Sequence, residues 1–346
     1  MNKLKTIGLS ALAGSLALTT AANAVDYAVT GDAYVSWSSQ DSESTQAASG
    51  KGVAVDTDLY FNASGELDNG FTISFYQGIN TNKTLSQTSG QVTLGMGSMG
   101  TLQVNNYVGS KANAIDDVMP NAMQETWDRV ADASIADPSF FGGPTNDGSI
   151  DYRIPTMEMM GVSVNFAYTY DPAVSEESYN ASSGGKQTNV SGDAMVLQLS
   201  AAGLEVGLGN EEIDNDQGVV AGSAQTNSTG YVKYAMGPLS VGYQESYQNS
   251  RNGTGIEGAD TEAELWAIAY TAGDMSVSYG ESTFVNHAVS DAAASLEQEL
   301  ESIQASYTMG AMTLMGSFSE GSNVGATAAG TAKNYEETSV AVNFSF

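Results

Sequence analysis

The chain has 346 residues and a formal net charge of −29, set by 11 Lys and Arg against 40 Asp and Glu. That balance argues against a nucleic-acid partner, because phosphate binding needs clustered Lys and Arg. The lack of cysteine excludes disulfides and thiolate zinc sites, and the single His287 leaves no room for histidine-rich metal chemistry.

Only 15% of residues are charged, which is low for a soluble acidic protein, and 38 Gly with 17 Tyr and 6 Pro suit many short strands joined by tight turns. The N-terminus reads as a secretory signal over residues 1–24. Lys3 and Lys5 are its basic region, Ile7 to Leu18 its apolar stretch, and Ala22-Asn23-Ala24 its cleavage site. The apolar stretch is well short of the roughly 20 residues that a spanning helix needs. Residues 25–346 then form one domain.

That domain alternates. Tyr27, Val29, Gly31, Ala33, Val35 and Trp37 fall on one parity, with Asp26, Thr30, Asp32, Tyr34 and Ser36 on the other. Period two puts the two sets on opposite faces of a strand. Val53, Val55, Leu59 and Phe61 repeat the pattern opposite Asp56, Asp58, Tyr60 and Asn62, and further runs follow near residues 71–76, 92–96 and 102–104. Residues 108–148 break it. They carry Asp116, Asp117, Glu125, Asp128, Asp132, Asp137 and Asp147 against Lys111 and Arg129, with Pro120, Pro138 and Pro144 interspersed. Unpatterned connections of this length are either functional or disordered.

Alternation resumes at Asp151-Tyr152-Arg153-Ile154. It continues through Val162–Tyr170, Met195–Leu199, Leu204–Leu208, Val232–Tyr234, Leu239–Tyr243, Met275–Tyr279, Ile303–Tyr307, Met312–Phe318 and Val340–Phe346. The run Leu265 to Tyr270 is apolar on both parities and its faces stay unassigned. Gly-, Asn- and Pro-containing short turns alternate with long loops near 39–52, 80–90, 108–148, 171–191, 211–226, 248–261, 283–297 and 320–334. This rhythm predicts about sixteen strands in an all-β, transmembrane antiparallel β-barrel, with both termini on the short-turn side.

A soluble β-sandwich also alternates. The membrane reading is preferred because tyrosines cluster near strand ends, as in interfacial girdles, and because the loops alternate strictly in length. Closure also removes sheet edges that hydrocarbon cannot satisfy. The terminal strand ends on Phe346, which resembles the ending of outer-membrane barrels.

Taken together, the signal, the strand count, the long third loop and Phe346 resemble a general diffusion porin of the alphaproteobacterial type. The likeness is strongest in Gly148–Pro155, in Ser339–Phe346 and in Ile115-Asp116-Asp117-Val118-Met119-Pro120. It implies a homotrimer in outer-membrane lipid and lipopolysaccharide, with one aqueous pore per subunit. It also implies that residues 108–148 fold inward as a constriction loop, set against a basic cluster on the barrel wall.

The loop side matches that pattern in Asp116, Asp117, Glu125, Asp128 and Asp132, with Arg129 among them. The wall side departs from it. Parity turns Asp32, Asp56 and Asp58 into the lumen, and positive charge there is limited to Arg153 and Lys233. Arg153 is expected to neutralise Asp151 or a loop carboxylate. Carboxylates around a pore favour cations, so the expectation is a passive channel for small hydrophilic solutes that prefers cations.

An adhesin or structural anchor with a closed lumen is the alternative, and a solute-specific pore a third reading. No cofactor is expected. Asp214-Asn215-Asp216-Gln217-Gly218 is similar to a calcium loop but lacks EF-hand spacing, so loosely bound Ca2+ at the acidic outer loops is the expectation. No G-x-S-x-G elbow occurs in the mature chain, and His287 with Asp291 is too thin a pair to support catalysis.

Overall fold

The computed structural model describes residues 26–43, 49–81, 85–107, 109–127, 148–172, 191–215, 223–249, 260–286, 296–324 and 334–346. Residues 1–24, expected to be a signal, lie outside them, as do Asp128, Arg129, Asp132, His287, Asp291 and Asp216–Gly218.

The first strands are β1 (Asp26–Ser42), β2 (Gly50–Glu66), β3 (Thr72–Asn80), β4 (Ser86–Gly95) and β5 (Thr101–Tyr107). After the long insert come β6 (Ile150–Arg153), β7 (Met157–Met159), β8 (Val162–Asp171), β9 (Gly192–Ala201) and β10 (Leu204–Asn215). The remainder are β11 (Ser223–Met236), β12 (Leu239–Asn249), β13 (Thr261–Ala272), β14 (Met275–Asn286), β15 (Leu296–Met309), β16 (Met312–Ser322) and β17 (Tyr335–Ser345). Each pairs antiparallel with its chain neighbour, except that β6 and β7 both pair with β8 around the break at Ile154-Pro155-Thr156. The result is a closed sixteen-stranded barrel with one extra short strand. The turn before β8 is confined to Met160-Gly161, because Met157–Met159 extends the ladder onto Val162–Val164.

Closure is made by β1 and β17, in register from Asp32↔Ser345 to Ser42↔Tyr335. It leaves no edge strand, which hydrocarbon demands. The alternation in the sequence becomes two faces. Trp37, Phe75, Val104, Ile268, Ile303, Phe318, Val340 and Phe344 are exposed on the outside. Ser278, Ser282, Ser302, Ser317, Ser319, Ser339, Gln244, Gln298 and Gln304 are buried on the inside. An apolar exterior around a polar interior is the reverse of a water-soluble β protein and matches a barrel standing in lipid.

The unassigned run in β13 resolves here. Leu265, Ala267 and Ala269 turn inward and are buried, while Trp266, Ile268 and Tyr270 turn outward. The inward face is apolar because it receives the long insert. Ala112, Ile115, Val118 and Met119 form one buried cluster with Ala263, Leu265, Ala267, Val196 and Tyr231.

Above the outer apolar band, carboxylates line up across strands. Glu245 pairs with Glu264 on β12–β13, and Glu281, Glu301, Glu320, Glu336 and Asp41 form a continuous chain of partners across β14, β15, β16, β17 and β1. Tyr279 Oη lies 2.6 Å from Glu281 and 2.7 Å from Glu301, and the Trp266 indole donates to Glu281 at 3.0 Å.

Candidate functional site

The insert leaves β5 by turning into the barrel at Gly109, whose φ of +133° a side chain would resist. A Cβ there would also stand 2.0 Å from the Gln91 amide nitrogen. The Gly109 carbonyl accepts from Gln103 at 2.7 Å and from Arg153 Nη2 at 3.0 Å. Arg153 also pairs through Nε with the fully buried Asp151. The second oxygen of Asp151 accepts from Thr169 at 2.7 Å and from the Lys111 backbone N–H at 3.3 Å. Arg153 thus neutralises Asp151 as expected, and the pair fixes the root of the loop.

From the root the loop crosses to the β12–β15 arc of the wall. The Gln244 amide donates to the Ile115 carbonyl at 3.1 Å. Gly242 lies beneath Met119 and Pro120, and a Cβ on it would stand 2.7 Å from Pro120 Cδ. Gly280 does the same beneath Thr126, at 2.5 Å from its hydroxyl. Between these two contacts, Ala122 N–H donates to Ser278 Oγ at 2.9 Å, and Met123 and Gln124 N–H donate to Gln304 Oε1 at 2.9 and 3.1 Å.

Of the loop acids in the described residues, Asp117 is exposed, Asp116 half-buried and Glu125 buried. Glu125 holds the loop's own shape, since one carboxylate oxygen accepts from the Met119 N–H and the other from the Trp127 indole at 2.8 Å. Asp128, Arg129 and Asp132 continue the same loop outside the described residues.

Asp32, Asp56 and Asp58 are brought together on the inner face of β1 and β2. Asp32 and Asp58 are direct cross-strand partners, and Asp56 sits two residues along β2. Asp56 accepts from Asn80 at 2.7 Å and from the Thr57 N–H at 2.9 Å. Asp32 Oδ1 and Asp58 Oδ1 have no hydrogen-bond partner. Tyr60 stacks on Tyr76 beside them, with ring centroids 5.9 Å apart. Two facing carboxylates with unsatisfied oxygens repel each other and attract a mobile cation.

Positive charge inside the barrel, among the described residues, is confined to Lys111, Arg153 and Lys233. Lys111 and Arg153 share the lining of a cavity of about 340 Å³ with Thr101, Asn165 and Gln198. Lys233 pairs with Glu205 at 3.5 Å on β10–β11, whose Oε1 also accepts from Tyr231 at 2.6 Å. Pattern reading did not single out Ser278, Gln304, Gln244, Gly242 or Gly280. The one hint was the two-sided apolar run at Leu265–Tyr270, which marks where something packs inside the barrel.

The family model for Gram-negative porins matches residues 8–296. No curated protein matches the chain. Solved structures match across nearly the whole barrel at low identity. A porin from Comamonas acidovorans, described as anion-selective, is 12% identical with a TM-score of 0.64, covering 94% of this chain and all of that one. The trimer form of OmpT from Vibrio cholerae is 12% identical with a TM-score of 0.62, again over 94% of this chain and 100% of the other. An engineered variant of Rh. blastica porin is 14% identical with a TM-score of 0.53, over 93% of this chain and 100% of the other.

Proposed function

Because this chain belongs to the Gram-negative porin family, an outer-membrane channel is the premise, and we propose that it passes small hydrophilic solutes and prefers cations. The observation that carries the preference is the inner wall of β1 and β2. Asp32, Asp56 and Asp58 stand there, and no Lys or Arg among the described residues shares that face. The loop adds Asp116 and Asp117, and on our reading Asp128 and Asp132 as well. A path lined by carboxylates on two sides lowers the energy of a passing cation and raises that of an anion.

The fold does not decide the sign, since a barrel of the same architecture carries the description anion-selective in Comamonas acidovorans. The side chains decide it. Solutes cross by diffusion, and no residue is given a catalytic role. We take residues 1–24 as the signal, 108–148 as the constriction and the assembly as a homotrimer seated in outer-membrane lipid and lipopolysaccharide. A trimer form is on record for OmpT of Vibrio cholerae. Ca2+ is read as a loose counter-ion of the acidic exterior and not as a built site.

A planar bilayer with a KCl gradient across it tests the reading. The expected reversal potential has the sign of K+ permeation, and insertion in three steps supports the trimer. A reversal potential of the opposite sign overturns the cation preference, and a bilayer that stays silent favours an anchor with a closed lumen.

A further inference from the structure

The segment Asn121–Gln124 lies between two packed stretches of the loop and contributes no residue to the buried apolar cluster. Before it, Ala112, Ile115, Val118 and Met119 are buried in one cluster with inward residues of β9, β11 and β13. After it, Glu125 and Thr126 are buried, with Glu125 bound to Met119 and Trp127. Between them the wall holds backbone. Ser278 and Gln304 are direct cross-strand partners on β14 and β15, both turned inward. Together they accept the three successive amides of Ala122, Met123 and Gln124. The Gln304 amide returns a bond to the Gln124 carbonyl at 2.7 Å and a second to Ser302 Oγ at 3.1 Å, which fixes the side chain's orientation. Gln304 is only 3% exposed, so water does not replace these bonds cheaply.

We propose that Ser278 and Gln304 form a latch that sets how far the loop stands off the wall, and so positions the narrowest part of the pore. The inference rests on the channel reading above. The latch recognises backbone and not side chains, so it holds the loop without using any of its acids. It is also the weakest link in the dock. Elsewhere the loop is wedged over Gly242 and Gly280 by close packing, whereas residues 122–124 are tied to the wall by these hydrogen bonds, and a short segment held this way can open locally. Release would let residues 121–124 swing between wall and lumen.

The test uses the purified full-length mature protein. Gln304→Met keeps the side chain's length and removes its donor and acceptor. Ser278→Ala removes one bond. Ser317→Ala removes an inward hydroxyl of β16 that has no partner and serves as the control. The latch predicts an open fraction raised about tenfold by Ser278→Ala and about a hundredfold by Gln304→Met, from one and from more than one lost bond. It is read as excess open-channel current noise with a shifted mean conductance, and Ser317→Ala leaves both unchanged.

Hydrogen exchange on the wild type gives a second reading. The amides of residues 122–124 are expected to be protected well beyond those of free loops. A folded Gln304→Met channel with wild-type conductance and noise overturns the latch, and so does rapid exchange at 122–124 in the wild type, even if the variant fails to fold. Failure of the channel reading is distinguished because the wild type itself then carries no current.

Discussion

Phe346 and Gly31 exchange two backbone hydrogen bonds, Gly31 N–H to the Phe346 carbonyl at 2.7 Å and Phe346 N–H to the Gly31 carbonyl at 2.9 Å. The ring of Phe346 occupies the space a side chain at position 31 would need. A Cβ there would stand 2.9 Å from Phe346 Cε2, 3.0 Å from Leu59 Cδ2 and 2.8 Å from the Asp58 carbonyl. Phe346 is therefore a rung of the closing seam, and its ring packs where position 31 carries no side chain. Gly31→Ala forces this contact apart against a backbone oxygen that cannot rotate away. A cost of about 1–3 kcal/mol is expected from such overpacking. The measurement is the temperature at which the folded, fast-migrating band converts on an unheated gel. Gly31→Ala should lower it more than Phe346→Ala, which keeps both backbone bonds; the reverse order would show that the ring and not the seam dominates.

Arg153 offers the second prediction. It is the cation beside the fully buried Asp151 and a donor to the Gly109 carbonyl at the loop root. Arg153→Met strands a buried carboxylate, for which about 3–5 kcal/mol of destabilisation is typical when one partner of a buried pair is removed. The double change Arg153→Met with Asp151→Leu removes both charges. Unfolding midpoints in urea should show the double variant more stable than the single one. Equal midpoints would mean that Asp151 is adequately held by Thr169 and the Lys111 amide alone.

How far these features were legible in the sequence follows from their range. Strand faces depend on residues two apart, so the alternation from Tyr27 to Trp37 and from Val162 to Tyr170 made the strands and their faces legible, and the rhythm of short turns and long loops supplied the count. The loop was visible as an acidic break in that alternation. Its seat on the wall was not, because Ala122 meets Ser278 across 156 positions and Met123 meets Gln304 across 181. No local pattern carries that information. Glu125 looked like another pore acid, yet it is spent on Met119 and Trp127 inside the loop, a role that only the folded turn reveals. The pairing of Asp151 with Arg153 was legible because both lie on one face of one short strand.

The outer chain of carboxylates leads to a third prediction. Glu301 lies directly between Glu281 and Glu320 on neighbouring strands. Like charges placed opposite one another across strands destabilise a sheet by roughly 0.2–1 kcal/mol per pair. Glu301→Gln keeps an acceptor for the Tyr279 hydroxyl and removes the charge from two such pairs. Thermal unfolding in detergent should occur at a higher temperature than for wild type at low salt. The gain should fade toward 1 M salt, where the screening length falls to about 3 Å. A gain unaffected by salt would point to packing and not to charge.

The wall acids supply the last prediction, and the most direct link from residues to function. Asp32 and Asp58 face each other across β1 and β2, with Asp56 two residues along and tied to Asn80. Replacing Asp32 and Asp58 by Asn conserves shape and removes two negative charges from a stretch of lumen that has no described Lys or Arg. It also converts two unpartnered oxygens into an amide pair able to bond to each other, so stability should rise slightly while selectivity falls. The reversal potential in a KCl gradient is expected to move toward zero, and single-channel conductance at low salt to drop. At high salt both differences should shrink, because screening then hides wall charge from the permeating ion. Asp117→Asn, on the exposed part of the loop, should shift the reversal potential in the same direction. Glu125→Gln should leave it near the wild-type value, since that carboxylate serves the loop and not the lumen. A reversal potential unchanged by the Asp32 and Asp58 exchange would move the selectivity away from the β1–β2 wall and onto the loop alone.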